Sequence, residues 1–196
     1  SINEIGNTIS AQIDNSAAPS RLIDVGGELS LVADNKATIR TIAGGVSASG
    51  KAALGASVAI NQIHDLTEAG LTDVTQNTAT ADTTVKASSV ATIESIAGTV
   101  AVASSSVGAG AGVAVNRVGN VTRAFASGSR TDLYVRNVKV QAISAAHIDT
   151  ISVALGASGN VGIGGSASAN HLDNQTEAYI DAGAEIKAEH NVGVLA

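Results

Sequence analysis

Hydrophobic and polar residues alternate one by one along much of the chain, which is the period of a β-strand. Ala56, Val58 and Ile60, for example, are separated by small or polar residues. Such alternation, with valine, isoleucine and threonine enriched, predicts strands. No segment shows the i, i+3, i+4, i+7 apolar stripe of an amphipathic helix. We therefore expect an all-β protein with less than about 10% helix.

A block of eleven residues recurs four times, at 3–13, 61–71, 116–126 and 170–180, so its period is 54–58 residues. The first position of the block is always asparagine: Asn3, Asn61, Asn116 and Asn170. The fifth is asparagine or aspartate: Asn7, Asp65, Asn120 and Asn174. The seventh is threonine in the last three copies: Thr67, Thr122 and Thr176. We predict that the asparagine and threonine columns form a structural ladder between repeats.

A second block keeps the same period and contains two isoleucines in register. Its copies lie at 37–45, 91–99 and 146–154, and each follows a short apolar lead-in. The repeat blocks run over about 3–60, 61–115, 116–169 and 170–196, and 1–196 is expected to form one β-solenoid segment of a longer protein.

Each period offers four short strands, and the fold class that these predict is a parallel β-helix, or β-solenoid, of three to four imperfect repeats. Because a coil of such a helix takes about 20–28 residues, one period is expected to form two coils, or three. The asparagine column would then stack along one edge, with its amides bonded to the backbone of neighbouring coils. An antiparallel alternative, with hairpins turning near Gly50, Ser105 and Gly159, remains open.

Composition restricts the core and the partners. The chain has a net charge of -6, two Tyr, one Phe, no Trp and no Cys. The acidic balance and the lack of aromatic platforms exclude the common nucleic-acid interfaces, and cysteine-based metal sites and disulfides are impossible. Few large residues are available for the interior, so we expect a thin core of valine, isoleucine and alanine. No apolar run approaches the roughly 18 residues of a membrane span, so no membrane insertion is expected.

Residues that could carry chemistry follow the repeat rather than forming a cluster. The histidines occupy variable positions: His64, His147, His171 and His190. The candidate carboxylates are Asp65 with Glu68, Asp173 with Glu177, and Asp149. Glycine-rich stretches at 108–112 and 156–165 are followed by strands rather than by the helix of a dinucleotide site. We therefore expect no catalytic, cofactor or metal site, and no enzyme.

An IAGG-type strand at 42–45, a Gly/Ala stretch at 55–60 and the asparagine block at 61–71 follow one another, and the order recurs in the next two copies. This pattern resembles the repeat region of very large bacterial filamentous-haemagglutinin-like and leukotoxin-type surface adhesins, secreted by two-partner or autotransporter (type V) routes. The resemblance implies an extracellular rod or stalk on the bacterial cell surface, associated with the outer membrane, that supports attachment and virulence.

The implied partners are neighbouring repeats of the same chain and a host receptor or glycan, with no cofactor and no nucleic acid. Two alternatives remain open from the sequence. The first is a glycan- or receptor-binding module that uses variable loops at 14–28 and 72–84. The second is a polysaccharide-active enzyme built on a β-helix.

Overall fold

The computed structural model describes residues 1–17 and 24–196, which form a parallel β-solenoid. Strands make up 82% of the described residues, which contain no helix and hence none that is long and apolar enough to cross a membrane. The strands are β1 (Ile2–Ile5), β2 (Thr8–Asp14), β3 (Leu29–Ser49), β4 (Ala52–Ile63), β5 (Leu66–Thr72), β6 (Thr75–Ala103), β7 (Val107–Val118), β8 (Val121–Ser127), β9 (Asp132–Ser158), β10 (Val161–Leu172), β11 (Gln175–Ile180) and β12 (Glu185–Leu195).

The strands form three parallel sheets of four strands each. Sheet A has the order β1-β4-β7-β10, sheet B has β2-β5-β8-β11, and sheet C has β3-β6-β9-β12. Each coil contributes one strand to each sheet, and residues one sequence period apart are paired, as Asn61 is with Asn3 and with Asn116. One period is therefore one coil, and the prediction of two or three coils per period is wrong.

The prediction of four short strands per period is also wrong, because two of them are continuous. The lead-in and the isoleucine block lie on one strand of sheet C, which has 21 residues in β3 and 29 in β6. Asp34 and Lys36 point outwards and Asn35 points inwards, so the polar residues between the two blocks keep the alternation of the strand.

The solenoid is flattened into two layers. Sheet C forms one layer, and sheets A and B lie end to end in the other, because β4 and β5 together match the length of β3. The chain reverses near Gly50, Ser105 and Gly159, where the antiparallel alternative placed its turns. The strands on either side of each turn nevertheless face each other across the interior, and their backbone pairing is parallel between coils.

The core tapers from one end of this flattened section to the other. At the wide end, beneath sheet B, the core contains Leu71, Val74 and Leu133. The next part of the core contains Ile39, Ile63 and Ile93, and it lies beneath the end of sheet A that adjoins sheet B. At the narrow end only alanines remain, among them Ala53, Ala101 and Ala103. The interior is thin and built of small aliphatic residues, as the composition indicated.

Glycine is required where the two layers meet most closely. A Cβ at Gly110 would lie 2.8 Å from the carbonyl oxygen of Leu155, and a Cβ at Gly108 would overlap that of Ala157. Real Cβ atoms do not approach backbone oxygens so closely, so the glycine-rich stretch is the place where sheets A and C come into backbone contact.

The two segments predicted as variable loops differ in outcome. Thr75 to Thr84 belongs to β6, which pairs with β9 through a bulge between Thr78 and Asp82, so this part is strand. The corner before it turns at Asp73, whose φ is 57°. Of the segment 14–28, residues 18–23 lie outside the described residues, and Asp24 forms an isolated parallel bridge with Thr75.

Candidate functional site

The four asparagines that begin the repeat block lie in register on the inner face of sheet A and are joined amide to amide; Asn61 and Asn116 are buried, whereas Asn3 and Asn170 lie in the end coils. The Nδ2 of Asn3 donates to Oδ1 of Asn61 at 2.8 Å, Asn61 to Asn116 at 2.7 Å, and Asn116 to Asn170 at 2.9 Å. Asn61 and Asn116 are 1% and 0% exposed. The column is therefore a continuous hydrogen-bonded ladder that runs along the solenoid axis through all four coils.

Hydroxyl groups of the opposite layer complete this ladder. Thr41, Ser95 and Thr150 are paired with one another in sheet C and face the asparagines. Thr41 donates to Asn61 Oδ1 at 2.7 Å, and the amides of Asn61 and Asn116 donate to Ser95 at 3.2 Å and to Thr150 at 2.7 Å. The asparagine amides thus bond one another and hydroxyls, whereas backbone partners were expected from the sequence.

The hydroxyl column was missed in the sequence, although a signal for it exists. Each isoleucine block carries Thr or Ser two residues after its first isoleucine, at a position with the parity of the buried face. An inward hydroxyl at one position of every repeat is stabilised by an inward polar partner, and the asparagine column is the only polar column of the sequence with four identical residues.

The second polar column caps the corner between sheets A and B. The backbone N–H of Asn7 donates to Asp65 Oδ1 at 2.8 Å, that of Asp65 to Asn120 Oδ1 at 3.0 Å, and that of Asn120 to Asn174 Oδ1 at 3.1 Å. These side chains satisfy the N–H groups at the bend, where the strand ladder is interrupted. This column, rather than the first, provides the side-chain-to-backbone bonding between coils.

The threonine column lies in register but does not form a hydrogen-bonded ladder. Thr67 pairs with Thr122, and Thr122 with Thr176, in sheet B; in the first coil the same position is Ile9. Thr67 and Thr122 are fully buried, and their hydroxyls have no hydrogen-bond partner among the described residues. Their contribution to the structure comes from packing.

Asp65 is the one buried candidate carboxylate, and the others lie on the surface or are paired with arginine. Glu68 and Glu177 flank Arg123 on neighbouring strands of sheet B, at 3.5 and 2.9 Å, and their hydrogen bonds raise the pKa of Arg123, the one to Glu177 most. Asp149 is exposed on the outer face of sheet C, and its Oδ2 lies 2.9 Å from Nε2 of His147. Asp65 takes part in the corner column described above. No two of these acids face each other across a cleft, as a glycosidase pair would.

Two further arginines join coils at the wide end. Arg130 donates to Asp73 Oδ2 and to the carbonyl of Asn15, both at 3.0 Å, and its hydrogen bonds lower the pKa of Asp73. Arg136 holds Asp82 through both carboxylate oxygens and, with help from the Asn137 amide, lowers the pKa of Asp82 to about 2. Each pair links neighbouring coils and has no free catalytic group.

The histidines do not converge. His64 lies 3.5 Å from Glu4, His147 contacts Asp149, and His171 is exposed opposite Arg117. Within residues 1–17 and 24–196, no group of three or more His, Asp or Glu side chains could hold a metal ion. The depressions on the surface are shallow; one of about 290 Å³ is lined only by Leu54, Ala, and Gly residues of β4 and β7.

Comparisons with known proteins gave no match: no family model, no curated protein and no solved structure is similar to this chain.

Proposed function

We propose that this chain is a structural rod segment of a secreted bacterial surface adhesin, outside the cell and associated with the outer membrane. It supports attachment to a host or another surface and performs no catalysis. Neighbouring repeats of the same chain are its partners. The ligand contacts, with a host receptor or glycan, lie elsewhere in the parent protein.

The observation that carries this proposal is the amide ladder that joins all four coils through the interior. A ladder of identical side chains stabilises stacking of one repeat on the next, which is what a solenoid rod needs. It offers no reactive group to solvent. The ion pairs also stabilise the stacking, since each of the arginine pairs described above links successive coils.

The dimensions of the coil make this rod wide and short. Four coils at a strand spacing of about 4.8 Å rise only about 14 Å along the axis, whereas a 21-residue strand is about 70 Å long. Each period of 54–58 residues therefore adds one coil, about 4.8 Å, to the height of a broad stack. Such a rod resists bending, and its surface consists of long parallel strands.

Antibodies against the 196-residue chain test the location. On intact cells of the source bacterium they should label the surface, and permeabilisation should add little signal. Labelling that requires permeabilisation would contradict the proposal.

In-frame deletions in the parent protein test the structural role. Removal of 61–115, one whole period, should leave secretion and adhesion intact, because Asn3 then pairs directly with Asn116 in the same register. Removal of 61–88, half a period, is the matched control and should abolish stable display. If the whole-period deletion reaches the surface normally but loses adhesion, the segment itself binds the ligand and is more than a spacer.

A further inference from the structure

The interior columns of the solenoid end in partly exposed residues in the first coil (β1–β3) and in the last coil (β10–β12). Ile63 and Val118 are fully buried in the middle coils, whereas Leu172, at the end of the same column, is 53% exposed. Ile5, at the other end of that column, is only partly buried. Val194, in the last strand of sheet C, is 44% exposed. Each end of the stack therefore presents an apolar strip that a further coil would cover.

The asparagine ladder has a direction along the axis. Each Nδ2 donates to Oδ1 of the asparagine in the following coil. In the first coil, no described residue donates to Oδ1 of Asn3, which is left as an acceptor. In the last coil, Oδ1 of Asn170 accepts from Asn116 and Thr150, and its Nδ2 has no acceptor among the described residues. The ladder therefore begins with an acceptor and ends with a donor.

The column that caps the corner between sheets A and B has the same direction. The backbone N–H of each member donates to Oδ1 of the member in the following coil. The column begins with Oδ1 of Asn7 and ends with the N–H of Asn174, and neither group has a partner within residues 1–17 and 24–196. Asn7 follows Asn3 by four residues, as Asn174 follows Asn170. Two acceptors at one end of the stack thus match two donors at the other in position.

We propose that a second copy of the chain stacks head to tail on the last coil, with its first coil in the register of the repeat. Nδ2 of Asn170 then donates to Oδ1 of Asn3 of the second copy. The N–H of Asn174 donates to Oδ1 of Asn7 of that copy, and the apolar columns continue across the contact. Because the contact is heterologous and leaves one end of each copy free, the product is a linear array. The stacking follows from the coils and does not depend on the proposed adhesin function.

Two like ends do not fit each other. Two last coils would place donor against donor in both polar columns, and two first coils would place acceptor against acceptor. A twofold axis between like ends would also make the facing strands antiparallel, whereas all the coils of the solenoid are joined by parallel pairing. The polarity of the two columns therefore selects the head-to-tail arrangement.

The contact covers the wide end and the adjoining part of sheet A. There β1, β2 and the start of β3 meet the end of β10, β11 and the end of β12, over about 60 Å of strand. With a layer about 10 Å across, each copy contributes about 600 Å², so the total of about 1,200 Å² is at the lower limit of specific interfaces. We therefore expect an association that depends on concentration. Residues 34–49 and 161–167, at the narrow end, remain outside the contact.

The charges at the seam give the association a salt dependence. The register brings Asp181 close to Asp14 of the second copy, and Glu185 close to Asp24. All four carboxylates are exposed, so their repulsion is weak and is screened by salt. The association should become stronger as salt is added. Dissociation by salt would contradict this register.

Engineered disulfides report the contact directly, because the chain has no Cys. Thr8 and Gln175 are exposed at equivalent positions of the first and last strands of sheet B. In one molecule they are three coils apart, about 14 Å, whereas across the contact they are about 4.8 Å apart, within reach of a disulfide. On mild oxidation, Thr8→Cys/Gln175→Cys should form a reducible series of dimers, trimers and larger species.

The matched control is Thr8→Cys/Asn160→Cys, whose second cysteine lies at an exposed turn of the narrow end. It should cross-link at least about tenfold less, because its cysteines do not come within the roughly 7 Å between Cα atoms that a disulfide needs. Equal cross-linking of the two variants would overturn the proposal. So would dimers of Thr8→Cys alone or of Gln175→Cys alone at the yield of the double variant, since like ends would then meet.

Removal of one acceptor at the seam tests the role of the polar columns. Asn7→Ala should weaken the association about tenfold, because the N–H of Asn174 then has no acceptor across the contact. Asn160→Ala is the control and should associate as the parent does. Sedimentation over a concentration series measures the association, and circular dichroism shows that both variants are folded. A parent chain that sediments as a monomer at every concentration would overturn the proposal.

Discussion

At the scale of single residues, the buried polar side chains fall into a bonded set and an unbonded set. Asn116 bonds Asn61, Asn170 and Thr150, and it is fully buried. Thr122 is equally buried but its hydroxyl has no partner among the described residues. Because a buried polar group stabilises the fold only when it is paired, the two columns should respond to mutation in opposite directions.

Replacement of Asn116 by leucine should destabilise the fold. It removes the acceptor of the Asn61 amide and leaves the Thr150 hydroxyl and Asn170 with fewer partners, at about 1–3 kcal/mol for each group left unbonded. Thermal unfolding followed by circular dichroism measures the effect. Asn160→Ser, at an exposed turn, is the control and should melt as the parent does. Equal melting points for the two variants would show that the ladder does not contribute to stability.

Replacement of Thr122 by valine should stabilise the fold by about 1 kcal/mol or more, because it substitutes a methyl group of the same shape for an unbonded hydroxyl. Thr150→Val is the matched control and should have the opposite effect, since Thr150 accepts a bond from Asn116 and donates one to Asn170. Chemical denaturation gives both free energies of unfolding. A destabilised Thr122→Val would mean that this hydroxyl is bonded in solution.

The sequence revealed which residues form the ladder but not which groups they bond. The register of Asn61 and Asn116 follows from the period alone. The partners of Asn61, by contrast, include Thr41 and Ser95, 20 and 34 residues away on the opposite layer. Their identity depends on which strands face each other, and this is set by the turn at the narrow end of the solenoid.

At the scale of strands, the lead-in and the isoleucine block form one strand, although a short polar stretch separates them in the first copy. Asp34, Asn35 and Lys36 have the composition of a turn, yet they lie within β3. The inward Asn35 accepts a hydrogen bond from the amide of Asn7 at 3.4 Å, whereas its own Nδ2 has no partner among the described residues. Local composition could not distinguish this strand from a turn, because the residue that bonds Asn35 lies 28 positions away.

The close contact of sheets A and C makes Gly108 sensitive to any side chain. In Gly108→Ala the new methyl group overlaps the carbonyl of Ala157, so the layers must separate, with a loss of about 1–3 kcal/mol. Gly98→Ala is the control, because its Cβ would point outwards with no atom nearer than 4.0 Å. Thermal melting of both variants tests this, and a Gly108→Ala as stable as the control would show that the layers are further apart.

The pairing of β6 with β9 should weaken in acid beside the bulge. Asp82 has its pKa lowered from the ordinary 3.8 to about 2, mainly by Arg136 and then by Asn137. Its contribution to stability is therefore complete above about pH 4 and is lost as the pH falls towards 2. Denaturant midpoints measured between pH 5 and 2 should decline less steeply in Asp82→Asn and in Arg136→Gln than in the parent. An unchanged slope in both variants would contradict the geometry of this pair.

At the scale of the whole molecule, the tapering section separates two surface chemistries. The wide end encloses the larger core residues and carries the coil-linking arginines. The narrow end has no room for large side chains inside, and the aliphatic residues of the strands lie on its outer faces. The same strands pass through both ends, so the amphipathic character follows from the alternation of each strand together with the distance between the layers.

Stability along the stack should decrease from the inner coils to the outer ones. Strands β6 and β7 are hydrogen-bonded on both sides, whereas β3 and β10 have a partner on one side only. In a solenoid each repeat is stabilised by its nearest neighbours, so the outer strands lose one interface and expose an unpaired edge. Hydrogen exchange of the isolated chain, measured at low concentration, should be slowest for peptides of β6 and β7 and faster for β3 and β10. If the outer strands become protected as the concentration rises, with a parallel increase in light scattering, the coils continue from one molecule to the next. Equal protection of all strands in a strict monomer would show that the fold unfolds as a single unit. That result would contradict the view that its stability is a sum of interfaces between neighbouring coils.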